Sequence, residues 1–446
     1  MVRVANLARA AAALLAMLMV SANAWSLPSF AQQTGLPCAS CHSIAFGPAL
    51  TAYGRAFKLN GYAWGAAEHS LPISLMTVAG YTETARSVSD AGPHFDSNDN
   101  PAVNEVTAFY AGRITEHAGG FVEASYSGVE RNTAWGAFDV RYAHDLTLGD
   151  TKIVAGLSIN NNPTVTDLWN STPVWGFPAT GSELAPTPEA LPILFDGISE
   201  RVMGPTLYAM IDDHLYLEAG AYHSLSDRGL RTVGLKSEDN LNMDGAAPYA
   251  RAALQFQTGP HYYSVGVLGL QAKLRPDPET SDSDRYRDVG VDATYQYVGG
   301  GKNSVNANLS FVHESRQLAA SFSAGESDAI SNHLDTTHFD VEYAYEQTWT
   351  ATLGWFDVAG SRNPSLLAPE EVNGSAKGSP DSRGYAVQFE YVPFGKVAAA
   401  RPSLNVRIGL QYIAYQRFNG GDSNYDGFGR SASDNDTVFA FVWLAL

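Results

Sequence analysis

The chain is poor in cysteine, in basic side chains and in long apolar runs, and each shortage closes a class of function. Its 446 residues include two cysteines, Cys38 and Cys41. A structural zinc centre needs about four ligands, and no second Cys/His pair at finger spacing is present. A dithiol–disulfide couple usually rides on a thioredoxin-like βαβ pattern, and none follows these cysteines. Lys and Arg number 28 against 46 Asp and Glu, a formal net charge of −18. Such a chain repels phosphate backbones, so nucleic acid is not expected as a partner. After the N-terminal region no segment approaches the roughly 20 apolar residues of a membrane-spanning helix. No repeat of blade length occurs, which argues against a propeller.

What is present begins with an export signal. Arg3 and Arg9 precede the apolar run Ala10 to Val20, and Ala22-Asn23-Ala24 follows as an A-x-A cleavage site. Residues 1–24 therefore read as a signal peptide, too short to span a bilayer. Its removal leaves 26 basic against 46 acidic residues. The expected division is a signal peptide at 1–24, a cofactor-bearing segment at 25–70 and a membrane barrel at 71–446.

Cys38-Ala39-Ser40-Cys41-His42 is the pattern that attaches a c-type haem. Two thiols three positions apart can each form a thioether to a vinyl group, and the next imidazole then lies over the iron. One covalent haem c is expected on Cys38 and Cys41, with His42 as proximal ligand and single-electron transfer as the chemistry. Export fits attachment outside the cytoplasm. Spacing does not specify the distal ligand. His69 and Met76 are the nearest candidates, with His94 behind them.

From Ile73 onward the chain repeats one grammar. Segments of about ten residues alternate apolar and polar positions, as strands with one lipid face and one wet face do. Val140, Tyr142, His144 and Leu146 alternate with Asp139, Arg141 and Asp145, and Phe339, Val341, Tyr343 and Tyr345 with His338, Asp340 and Glu342. Sixteen segments start near residues 73, 103, 119, 134, 150, 201, 214, 247, 260, 285, 303, 334, 348, 382, 403 and 434. Even-to-odd connections are short or turn-like, apart from Pro393 to Pro402. Most odd-to-even connections are long and polar, notably 86–102, 162–200, 226–246, 274–284, 361–381 and 418–433. Short periplasmic turns alternating with long external loops mark an outer-membrane barrel. The expected fold is thus all-β: about 16 antiparallel strands in the outer membrane of a Gram-negative bacterium, in contact with its lipid. An even strand count puts both termini in the periplasm. The chain stops in a strand ending at Leu446, where such barrels usually end on Phe or Trp. With 22 Tyr, 20 Phe and 8 Trp but only 17% charged residues, the composition suits this reading.

The segment before the first strand is too short to build a core unaided. A mainly helical plug in the barrel lumen is expected, with a helix from Pro48 to Asn60 ended by Gly61. Leu50, Tyr53, Gly54 and Phe57 share one face of it, where Gly54 would let the backbone approach a porphyrin. Arg55 and Lys58 either pair with haem propionates or solvate the helix. Inward-facing Arg113, Arg141, Arg251 and Arg407, with Glu123, Asp139, Asp292 and Glu390, are the expected lumen charges.

Ser26-Leu27-Pro28-Ser29-Phe30-Ala31-Gln32-Gln33-Thr34-Gly35-Leu36-Pro37 ahead of the motif, and Tyr53-Gly54-Arg55-Ala56-Phe57-Lys58-Leu59-Asn60-Gly61-Tyr62 after it, carry a likeness. They resemble the fused monohaem cytochrome–porin family, which includes the outer-membrane cytochromes of iron-oxidising bacteria. The resemblance covers residues 26–62 and beyond them extends only to architecture. Gln32 stands where that family usually has Arg, and Tyr53-Gly54-Arg55 where it has Phe-Gly-Arg. The resemblance implies an electron conduit across the outer membrane. Extracellular Fe(II) would be the donor, and a periplasmic carrier such as a soluble cytochrome or cupredoxin the acceptor. Two alternatives stand beside it: a solute porin with a haem-bearing structural or gating plug, and electron export to an external acceptor. Acidic loop residues, among them Asp90, Asp96, Asp99, Asp277, Asp282, Asp422 and Asp426, either attract hard cations or are simply solvated.

Overall fold

The structure is a computed structural model that describes residues 29–44, 47–65, 72–88, 91–92, 94–172, 179–188, 190–232, 240–300, 302–395 and 404–446. The expected signal peptide at 1–24, the candidate ligand His69 and the loop residue Asp90 lie outside the described residues.

Among the described residues sixteen antiparallel strands close into one barrel, each paired with its neighbours in sequence. They are β1 (Ile73–Thr84), β2 (Asn100–Arg113), β3 (Ala118–Ser127), β4 (Asn132–Leu148), β5 (Thr151–Asn160), β6 (Val202–Ile211), β7 (Leu215–Ser224) and β8 (Ala247–Thr258). The second half comprises β9 (His261–Leu274), β10 (Asp284–Gly299), β11 (Asn303–Gln317), β12 (Ser331–Tyr345), β13 (Trp349–Gly360), β14 (Ser382–Tyr391), β15 (Asn405–Arg417) and β16 (Thr437–Ala445). Closure is made by β1 against β16, and Leu75 and Leu446 exchange both backbone hydrogen bonds at 2.8 and 2.7 Å. The final residue is therefore part of the seam, and no edge is left open.

The period-two pattern does the sorting. On β9, Val265 and Val267 are each 53% exposed, while Tyr262, Ser264 and Leu268 between and beside them are buried. A closed ring with an apolar exterior and a polar interior satisfies its backbone without water. This is the architecture of a Gram-negative outer-membrane barrel, and it places the protein in that membrane. The turn end carries an aromatic girdle. Tyr263 and Tyr295 lie 5.3 Å apart there, Trp349 and Tyr391 4.5 Å, and Tyr343 and Tyr345 are exposed beside them. Tight turns at this end hold non-glycine residues in the left-handed region: Asp212 and Asp213 at φ 48° and 58°, Glu346 and Gln347 at 51° and 54°. Such turns match the right-handed twist of the flanking strands.

Two expectations of element shape are corrected. The last strand, expected near 434, begins at Thr437 because Ser431 and Asp434 form a capping box that holds 432–435 in a short helical turn. The N-terminal segment is less helical than anticipated. It has α1 (Ser29–Thr34), the single turn α2 (Cys38–Cys41) and α3 (Ala52–Leu59). Thr51 rather than Pro48 opens α3, its hydroxyl accepting from the Gly54 N–H, and Gly61 follows the helix at φ 67°.

The 162–200 connection was expected as an outer loop, but its described residues run across the lumen. Asp167 meets Arg251 of β8, the Ile193 and Leu194 N–H groups donate to Glu314 and Asp288, and Gln411 of β15 donates to the Thr180 carbonyl. Ile193, Leu194 and Ile198 fill an apolar cluster with Tyr222, Tyr249, Leu268 and Val312 of the wall. At the outer end the 361–381 and 418–433 connections join, with the Tyr425 hydroxyl donating to the Val372 carbonyl and Ser375 to that of Asn419.

Candidate redox-cofactor site

The motif sits inside the turn end of the barrel. Pro37 precedes α2, the His42 N–H donates to the Cys38 carbonyl at 2.8 Å, and the chain then leaves in extended form. α3 lies directly against this turn. The Thr51 N–H donates to the Cys41 carbonyl, and the Thr51 hydroxyl to the Ser40 carbonyl. A Cβ on residue 54 would stand 2.2 Å from the Cys41 carbonyl oxygen, so only glycine permits the contact. Gly54 thus brings α3 onto the motif's own backbone, and it also borders the cavity described below.

The wall fixes the segment from several sides. Arg55 donates to Gln296 of β10 at 2.6 Å, Tyr62 to Asp139 of β4 at 2.7 Å, and Tyr208 of β6 to the Leu59 carbonyl at 2.8 Å. Gln347 donates to the Ser43 carbonyl, and Asn405 of β15 to the Cys38 sulfur at 3.1 Å. Arg55 also stacks on Tyr262, 3.5 Å from the ring centroid, and burial pushes its guanidinium down to about 10. Lys58 donates to the Asp167 carbonyl at 2.6 Å and to Asn170 at 2.9 Å, and burial pushes its ammonium down to about 7. Neither side chain solvates the helix. Arg55 is committed to the wall, while Lys58 still borders the cavity described next.

Cys38, Cys41 and His42 open on a cavity of about 440 Å³. This lies within the range of ligand pockets. Phe30, Leu36, Phe57, Val78, Phe109 and Trp443 give it apolar walls, and Glu105, Thr107, Glu123, Asn170 and Glu200 line its polar part. Both thiols are free. Burial raises the Cys38 thiol and pushes Cys41 up to about 11, so neither is a thiolate at neutral pH. A reactive redox dithiol has the opposite character. Burial holds the His42 imidazole down to about 4, leaving it neutral, as a metal ligand must be. Its Nδ1 is buried with no hydrogen-bond partner. Two thiols, a neutral imidazole with an orphaned nitrogen and a mostly apolar cavity fit a covalent haem c.

Of the distal candidates, Met76 of β1 lines this same cavity and packs beside Cys38 with Trp443, Val392 and Ala445. His94 is exposed in the connection beyond the outer end of β1 and is not brought to the motif. The expected lumen charges are mostly paired. Arg141 meets Asp139 at 2.6 Å, Arg251 meets Asp292 at 2.8 Å and Asp167 at 3.3 Å, and Arg407 meets Glu390 at 3.1 Å. Arg113 instead reaches the Thr115 and Gly65 carbonyls at the turn end. Asp167, Trp169 and Asn170 were not anticipated. Asn161-Asn162-Pro163 announces the turn in which the Asn162 side chain accepts from the Thr164 N–H, but no local signal sends that turn inward.

Several outer acids have structural tasks. Asp426 accepts from the Phe428 and Arg430 N–H groups, and Asp436 from the Tyr415 N–H and the Tyr412 hydroxyl. Among the described residues no three His, Cys, Asp or Glu side chains converge as a metal centre.

No family model matches the chain, and no curated protein matches it. Solved outer-membrane channels share its general form at low identity. OprB of Pseudomonas putida is 14% identical over 83% of this chain and 92% of its own, with a TM-score of 0.47. An anion-selective porin from Comamonas acidovorans is 11% identical over 83% and 98%, with a TM-score of 0.45. The channel DcaP of Acinetobacter baumannii is 11% identical over 84% and 96%, also at 0.45. Likeness at this level says nothing of what this barrel carries.

Proposed function

We propose that this porin-like outer-membrane barrel carries one haem c, attached through Cys38 and Cys41 with His42 as axial ligand, and serves in electron transfer across the outer membrane. The observation that supports this best is the opening of the motif on a largely apolar cavity inside a barrel in which several described lumen charges are buried. Asp139 and Arg141, both lumen-facing, have fully buried side chains. A water-filled channel would leave such charges wet.

When bound, the haem supplies reversible one-electron exchange. The chain's own residues do the rest. Cys38 and Cys41 hold the group, and the clamp of Thr51 and Gly54 fixes the turn that presents it. Phe30, Phe57, Phe109 and Trp443 exclude water, and His42 offers a neutral imidazole. Met76 is the second-ligand candidate that shares the cavity, and a propionate would compete with the Asp167 carbonyl and Asn170 for Lys58. Extracellular Fe(II) as donor and a periplasmic soluble cytochrome or cupredoxin as acceptor follow from the resemblance of residues 26–62. Transfer in the opposite direction, to an external acceptor, uses the same parts.

A second reading, a solute porin with the N-terminal segment as a haem-bearing structural or gating plug, is favoured by one feature. The 162–172 stretch crosses the lumen and pairs Asp167 with Arg251, as a constriction loop would. Two measurements on the purified full-length protein separate the readings. Covalent haem staining with anaerobic optical titration by Fe(II) should show one haem per chain that is reduced. Planar bilayers should show no porin-sized current. An unreactive haem together with large open-pore currents would sink the conduit reading.

A further inference from the structure

The same cavity is lined by carboxylates that haem attachment does not explain. Glu105 of β2 and Glu123 of β3 line it, together with Glu200 of the inward connection. Glu105 accepts from the Ser125 hydroxyl at 3.0 Å and from that of Thr107. Glu123 is 8% exposed, and its Oε1 has no hydrogen-bond partner. It lies within electrostatic range of Glu105 and Glu200. Lys58, the basic side chain on the cavity wall, is spent on Asp167 and Asn170.

The backbone is shaped around these carboxylates. Register slips occur at this level in two adjoining strand pairs. Val78 and Ala79 face Glu105 and Val103, so that Asn104 is extra on β2, and Val122 and Ala124 face Phe138 and Trp135, leaving an extra residue on β4. Bulges of this kind re-aim side chains and gather beside functional sites. Asn104 is buried and its Oδ1 also lacks a partner. A Cβ on residue 136 would stand 2.8 Å from Glu123 Oε2 and 3.2 Å from Glu123 Cβ, so a larger residue there would shift the carboxylate.

Buried acceptors without donors are costly, and like charges held together are costlier still. We infer that the cavity binds a divalent cation between Glu105 and Glu123. The acids do not converge as an all-protein cage, so the ion keeps part of its water shell, as small hard cations bound by one or two carboxylates do. The inference rests on the cavity and its carboxylates, not on the haem reading, and can fail or hold separately from it.

The test is Mn(II) binding to the full-length barrel in detergent, with free Mn(II) counted by electron paramagnetic resonance. One site is expected in the native protein, weakened at least tenfold in Glu123→Gln and in Glu105→Gln. Gly136→Ala, which leaves both carboxylates in the sequence, should weaken it as well, and Glu130→Gln at the exposed β3–β4 turn should not. Native secondary structure and heat-shifted gel mobility qualify each variant. Equal affinity in the native protein and in Glu105→Gln would overturn the inference. So would an infrared band of protonated carboxyl, lost in Glu123→Gln, that persists at saturating Mn(II), because a proton would then be the counter-charge.

Discussion

The two sides of the lumen differ in what their charges face. Along β4 to β10, buried charges answer one another: Arg141 holds Asp139, Arg251 holds both Asp167 and Asp292, and Tyr62 donates to Asp139. Along β1 to β3 the wall bounds a cavity, and Glu123 keeps an oxygen without a partner. Ion pairs hold the first side together, although Arg141 Nη1, Arg251 Nε and Nη1 and Asp292 Oδ2 lack hydrogen-bond partners there. Beside Cys38, Cys41 and His42 the carboxylates face a cavity instead of a cation. The inward connection serves both sides: Asp167 reaches Arg251, while Val165 packs with Ala111 and Phe121, and Asn170 and Glu200 border the cavity.

The largest effect is expected from breaking the paired side. Arg251→Ala strands two buried carboxylates and should cost about 3–5 kcal/mol, read as a lower denaturant midpoint for barrel unfolding. An unchanged midpoint would show that Arg251 does not organise the lumen. On the open side, Cys38→Ala with Cys41→Ala should abolish covalent haem staining while the barrel still folds, since both thiols contribute to the cavity rather than to the wall. Retained covalent haem would remove the motif from its assigned role. Gly54→Ala, which drives a Cβ into the Cys41 carbonyl, should lower haem content severalfold with little change in barrel stability. Full loading would mean that α3 can shift away from the turn at no cost. The smallest and most specific change is Met76→His. If Met76 is the second ligand, replacing thioether with imidazole should lower the reduction potential without altering haem content. A potential and spectrum that do not move would exclude Met76.

Much of the wall was legible along the chain. Alternation such as Asp288, Val289, Gly290, Val291, Asp292 sorts side chains to two faces by geometry alone, and β10 obeys it. Turn chemistry at Asp212-Asp213 and Gly299-Gly300 marked the hairpins. The motif itself was legible because three residues within five positions carry the attachment chemistry. Less visible was the close approach of Gly54 to Cys41, which depends on how α3 returns over α2. The roles of Arg55 and Lys58 were hidden too, because their partners, Gln296 and Asn170, are over a hundred residues away. The inward course of 162–200 had no local signature. Polar residues read alike whether water or a partner side chain satisfies them.

The sequence by itself determined the motif, the strand count and the face each strand residue takes, because these follow from covalent spacing and a two-residue period. Only the tertiary structure decided which lumen charges are paired, which carboxylates are left facing the cavity, and that Met76 shares that cavity with His42. Those outcomes depend on closure of the ring and on the fold of one long connection. They bring together residues that no local pattern relates.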